Sequence, residues 1–164
     1  MIMKKVFFFF VLSVVAIGVC AHNVVVKAGT QIPLKSVNTV KAADLDKGES
    51  VLFRVARDVN VNGVTAVPYG ISVKGTVYEA RRSAWWGTRG RLGITINEIV
   101  MPDGTVIPLD NGNIYIKGEN RTGWSILVFA MTLLPIPCGG KAQMPMGYEV
   151  VATVASSVSI EAGL

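Results

Sequence analysis

Histidine occurs once in this 164-residue sequence, at His22, and cysteine twice, at Cys20 and Cys138. One histidine beside an export signal cannot furnish a Ser/His/Asp set. A terminal amine and imidazole can chelate copper, but such a site needs a further histidine, which is missing. Charge is sparse too, at 16% of residues. Asp44, Asp46 and Glu49 share one polar turn, and the other carboxylates stand singly. Asp44-x-Asp46 lacks the rest of a calcium loop, and no glycine-rich phosphate loop occurs. These absences predict a non-catalytic protein with no cofactor and no metal.

What is abundant is apolar surface, 51% of residues, and part of it is not fold. Residues 1–21 open with Lys4 and Lys5, run apolar from Val6 to Val19 and end on the small Ala21. That is the pattern of a secretory signal peptide, with cleavage expected before His22. Ile17-Gly18-Val19-Cys20 is a poor lipidation signal, because the residue before a lipidated cysteine is normally small. A lipoprotein held through Cys20 is therefore the lesser expectation. Removing residues 1–21 leaves Cys138 as the one thiol, so no internal disulfide is available. The exported chain, residues 22–164, carries 14 basic and 11 acidic side chains, a net of +3, and is one domain's worth of sequence.

That chain alternates, is rich in Val, Ile and Thr, and is punctuated by Gly and Pro. Strands are predicted at 24–28, 31–37, 50–61, 71–79, 91–101, 105–109, 114–117 and 148–160, with 40–46 helical or turn-like. The expected fold is all-β: a mostly antiparallel small barrel or sandwich with a short apolar insert, 123–140, before the last strands. One motif recurs without a gap. Val67-Pro68-Tyr69-Gly70 precedes Ile71–Val77, and Met144-Pro145-Met146-Gly147 precedes Tyr148–Val154. Met101-Pro102-Asp103-Gly104 is a third Pro-x-Gly. Each reads as a type I turn launching a strand, as turn chemistry alone or as a trace of duplication.

Three blocks together resemble the C-terminal β-barrel domain of TrbI-like proteins, the outer-membrane channel components of type IV secretion and conjugation machines. The first is Lys27-Ala28-Gly29-Thr30-Gln31-Ile32-Pro33-Leu34 with Leu45 and Val51–Val59. The second is Val67-Pro68-Tyr69-Gly70, Gly75, Leu92–Val100, Pro102-Asp103-Gly104 and Ile107-Pro108-Leu109. The third is Met144-Pro145-Met146-Gly147 with Val150, Val154 and Val158–Ile160. Order and spacing carry the resemblance, which covers nearly all of the exported chain. The pattern is similar also to small stand-alone exported bacterial proteins. The resemblance implies a barrel in the Gram-negative envelope, periplasmic or associated with the outer membrane. It implies partners among envelope proteins or copies of the chain itself. Channel members carry an inner-membrane helix and a Pro-rich arm before the barrel. Here the barrel follows the signal directly, so the chain is not expected to bridge two membranes.

Between the Pro102-Asp103-Gly104 strand and the last strands stands Gly123-Trp-Ser-Ile-Leu-Val-Phe-Ala-Met-Thr-Leu-Leu-Pro-Ile-Pro-Cys-Gly-Gly140. In the resembled family this slot holds an antenna of two membrane helices. Eleven residues of helix rise only about 17 Å against a hydrocarbon core of about 30 Å, so two helices do not fit. A lone strand would leave its backbone unpaired in lipid. The segment reads as a core strand, a membrane-contacting loop or short helix, or a span closed by oligomerisation. Under the second and third readings Trp124, Ile126, Leu127, Val128, Phe129, Met131, Leu133 and Leu134 are the membrane or partner contacts.

A second candidate lies at 81–91. Arg81, Arg82, Trp85, Trp86, Arg89 and Arg91 sit on a predicted hairpin tip, where arginine forks can grip phosphates and tryptophans can stack or lie at headgroups. Anionic lipid or glycan is the ligand this composition fits, although a solvated loop would look the same. Four arginines are few for a nucleic-acid groove, so direct nucleic-acid binding is not expected.

Overall fold

A computed structural model describes residues 22–84, 88–119 and 140–162 of the chain. These residues form fourteen strands, no helix, and only antiparallel pairings. The all-β expectation holds, and barrel rather than sandwich is the better word for the main sheet.

That sheet has eight strands. β2 (Gln31–Ser36) and β4 (Ser50–Val55) lie at its centre. Outside β4 follow β7 (Ser72–Arg81), β8 (Arg91–Thr95) and β11 (Asn113–Lys117). Outside β2 follow β13 (Glu149–Val154), β10 (Val106–Asp110) and β9 (Glu98–Val100). Its two ends belong to one bent hairpin. β8 continues into β9 through Ile96 and Asn97, and β10 continues into β11 through Asn111 and Gly112. Backbone bonds carry the ladder across this bend: Ile96 N–H donates to Gly112 O at 3.0 Å and Leu109 N–H to Asn97 O at 2.7 Å. A sheet whose opposite ends share one hairpin must curl. Alternation fills the hollow with Val51, Phe53 and Val55 of β4, Val73 and Val77 of β7, and Ile32 and Leu34 of β2, all buried. Gly75 is required there, because a Cβ would stand 2.8 Å from Phe53 Cε2 and 2.9 Å from Ile94 Cγ2.

Two ribbons complete the body. β1 (His22–Val26) pairs with β14 (Val158–Ala162), joining the first and last described strands in full register from His22↔Ala162 to Val26↔Val158. β5 (Val59–Val61) and β6 (Val64–Val67) form a hairpin packed against that ribbon. Its turn, Asn62-Gly63, has φ of 54° and 82°, the left-handed pair that a two-residue hairpin of this twist requires. A third small pairing joins β3 (Val40–Lys41) to β12 (Gln143–Met144).

The repeated Pro-x-Gly motifs make the same bonds. Gly70 N–H donates to Val55 O and Val55 N–H to Ile71 O. Gly147 N–H donates to Ser36 O and Ser36 N–H to Tyr148 O. Each motif thus starts a strand, β7 or β13, at the C-terminal end of the strand it will pair with, β4 or β2. Ser36 is the one buried polar side chain among the described residues, and it is satisfied. Its hydroxyl donates to Pro145 O at 2.8 Å and accepts from Tyr148 N–H at 3.0 Å.

Three expected long strands are in fact broken. The run 50–61 stops at Ala56, whose amide turns to Pro33 O, and resumes as β5. The run 91–101 bends at Ile96–Asn97, and 148–160 breaks at Ala155, whose amide reaches Pro108 O. In each case one more bond in register with the existing partner strand closes the ladder before the chain departs. The 40–46 stretch, expected helical or turn-like, is strand at Val40–Lys41 and turn afterwards.

Candidate functional site at the basic end of the barrel

The β7–β8 hairpin supplies the arginines. β7 runs on to Arg81, which the sequence placed in the tip loop, and β8 starts at Arg91, the first residue of the strand predicted there. They are direct cross-strand partners, an arrangement that like charges make unfavourable. Glu79 offsets part of it by reaching Arg91 at 3.6 Å, a half-exposed pair of small net value. Arg82 is exposed, Arg89 is half-buried, and Ala84 N–H donates to Thr88 O at 3.1 Å to close the tip. Trp85 and Trp86 lie outside the described residues.

Behind the tip the chain is clamped through glycines. Gly90 is buried; its amide donates to Gly140 O and its carbonyl accepts from Gly118 N–H, both at 3.0 Å. Gly140 N–H donates to Glu119 O at 2.9 Å. No side chain fits at these crossings. A Cβ on Gly90 would stand 2.8 Å from Ala142 N and 3.1 Å from Arg81 O, and one on Gly118 would overlap the Gly140 carbonyl. Ala42 N–H donates to Ala142 O at 3.0 Å, next to the Gln143↔Lys41 pairing of β12 with β3.

Those bonds gather three distant segments, 40–46, 80–91 and 140–142, around two adjoining clefts. One, of about 390 Å³, is lined by Arg81, Arg82, Arg89, Arg91 and Asp46 among others. The smaller, of about 160 Å³, is lined by Lys41, Lys141, Asp44 and Arg82. Arg82 and Ala42 border both. Six cationic side chains therefore face two carboxylates at one end of a chain whose residues 22–164 carry +3 in all. Among the described residues no ion pair engages Arg81, Arg82, Arg89, Lys41 or Lys141. All four arginines predicted from the sequence meet here. Lys41 and Lys141 were not foreseen, since only long-range pairing brings them in and no local pattern marks them.

The apolar insert is rooted in the same place. Gly118–Glu119 enter it and Gly140–Ala142 leave it, and both roots are bonded to Gly90 or to each other. Gly140 is held on both sides. Trp124, Ile126, Leu127, Val128, Phe129, Met131, Leu133 and Leu134 lie outside the described residues. Among the described residues no group of three or more His, Cys, Asp or Glu side chains could hold a metal ion. None of their structure is a helix long and apolar enough to cross a membrane, which bears on helices alone.

No protein-family profile matches the chain, and no curated protein matches it. Among solved structures the chain is similar to ComB10 of the Com type IV secretion system of Helicobacter pylori. Identity is 15%, the match covers 82% of this chain and 90% of that one, and the TM-score is 0.45.

Proposed function

We propose that this chain is an exported, non-catalytic β-domain of the bacterial envelope that works by assembly, and that the basic end of its barrel is the docking end. One observation carries the reading. The two roots of the apolar insert and the base of the arginine hairpin are tied by backbone bonds through Gly90, Gly118 and Gly140. An apolar segment next to a cationic rim matches a surface that is apolar inside and anionic outside. An envelope membrane with its phosphate headgroups is one such surface, and a subunit seated at that membrane is another. The signal-like residues 1–21 support export. The ordered Pro-x-Gly and Ala-Gly-Thr blocks support a place in a type IV secretion-like or conjugation-related complex, among envelope proteins or copies of the chain.

Val128→Lys and Phe129→Lys, made separately, test the docking end. Docking side chains tolerate a charge without loss of the fold, whereas a lysine buried without a partner costs several kcal/mol, most of a small domain's stability. At least one variant is expected to keep its circular dichroism while leaving the membrane fraction or losing its oligomer. Unfolding of both would make the segment ordinary core and remove the proposal.

A further inference from the structure

The six cations at this end are arranged more specifically than a docking rim requires. We infer that the two adjoining clefts form one site for a ligand bearing two linked phosphate groups, a deepening that rests on reading this end as the functional one. The larger cleft offers Arg81, Arg89 and Arg91, the smaller offers Lys41 and Lys141, and Arg82 borders both. Guanidinium forks grip phosphate oxygens in pairs, and ammonium groups meet them as point charges. At Arg82, where the clefts adjoin, a diphosphate can turn one phosphate toward the arginines and the other toward the lysines.

Three further features favour a built site over a scatter of surface charge. The cations come from three separate segments whose backbones are bonded together through Gly90–Gly140 and Ala42–Ala142, so the site is assembled by the fold. Arg81 and Arg91 face each other across one register position with a single carboxylate, Glu79, to relieve them. An anion between them would turn that repulsion into a clamp. Finally, six cations against Asp44, Asp46 and Glu79 leave +3, the formal charge of all of residues 22–164, so the rest of that surface is neutral in sum. The layout is compact, not the extended stripe that a nucleic-acid backbone needs.

The test is calorimetric titration of the full exported chain with inorganic pyrophosphate, and with inorganic phosphate as comparison. Pyrophosphate is expected to bind at least about tenfold more tightly, since its second phosphate meets cations that a single phosphate at Arg82 leaves unmatched. Arg82→Gln should weaken pyrophosphate by about tenfold or more, and the double variant Lys41→Gln with Lys141→Gln should do so without touching the hairpin. Arg81→Lys keeps the charge and removes the fork, and should also weaken binding. Lys74→Gln with Lys117→Gln, outside both clefts, should leave it unchanged. Equal affinity for the two anions, indifference to the lysine pair, or an unchanged Arg81→Lys would each overturn the two-phosphate site. Tighter binding of a single-stranded oligonucleotide than of pyrophosphate would overturn it as well.

Vesicles of phosphatidylcholine with and without diacylglycerol diphosphate then separate a lipid headgroup from a free ligand. Retention on the doped vesicles that pyrophosphate displaces assigns the site to a headgroup. Pyrophosphate binding without such retention assigns it to a soluble diphosphate. The titration needs no membrane and no partner, so its failure is separable from failure of the docking proposal, which the lysine variants at 128 and 129 address.

Discussion

Gly90→Ala puts a single methyl group at the crossing where hairpin and insert roots meet. The nearest obstacle is a backbone nitrogen, Ala142 N at 2.8 Å, which cannot swing aside as a side chain would. Ordinary contact requires the two strands of backbone to part by about 0.6 Å, the distance from 2.8 Å to the van der Waals range. The bond spanning that gap, Gly90 N–H to Gly140 O, is 3.0 Å long and would stretch past the useful limit. One such bond contributes about 0.5–1.5 kcal/mol. For a chain of this size that is a fall in Tm of about 2–6 °C. The cost should be local, because the Phe53–Gly75 centre of the barrel is untouched. Residue-resolved amide exchange is the assay. The amides of Ala42, Gly90, Gly118 and Gly140 should lose protection while those of Phe53 and Ile32 keep theirs, and pyrophosphate binding should weaken with them. Unchanged exchange at Gly118 and Gly140 would refute the clamp. Loss of protection everywhere would show that this end is part of the cooperative core and not an appendage to it.

Phe53→Ala removes the largest fully buried side chain of the barrel and should cost about 3–5 kcal/mol by urea denaturation, with binding of pyrophosphate intact wherever the protein is folded. Asn62→Ala should destabilise by about 1 kcal/mol, because alanine tolerates the φ of 54° poorly, whereas Asn62→Gly should be near neutral in the same urea titration. N-terminal sequencing of the exported protein should begin His22-Asn23, the first residues of β1; a start at a modified Cys20 would make the protein a lipoprotein.

Alternation made the central strands legible: Val51, Phe53 and Val55 face one way and Ser50, Leu52 and Arg54 the other, as period two demands. Where the strands end was not legible. Ala56, Ile96 and Ala155 carry nothing that marks a break, and each still bonds in register with its partner strand where the chain turns away. β6 was overlooked despite a readable signal, Asn62-Gly63 between two valine-rich runs. β3 and β12 are two residues each, too short for any period to show. At the candidate site the arginines were visible because they cluster along the chain. Their company was not: Lys41 and Lys141 stand a hundred residues apart in sequence and meet through the β3–β12 pairing and the Ala42–Ala142 bond. The glycines at 90, 118 and 140 look like loop glycines until the backbones they let through are seen.

The docking claim is tested most directly by photo-crosslinking in the intact envelope. A crosslinking residue is placed in turn at Leu127 and Arg82, on the proposed contact end, and at Val25 and Tyr69, which are exposed elsewhere on the body. Adducts to protein or lipid should form from Leu127 and Arg82, should fall together when Gly90 carries alanine, and should be absent from Val25 and Tyr69. Adducts from Val25 or Tyr69 with none from Leu127 and Arg82 would contradict the docking end outright.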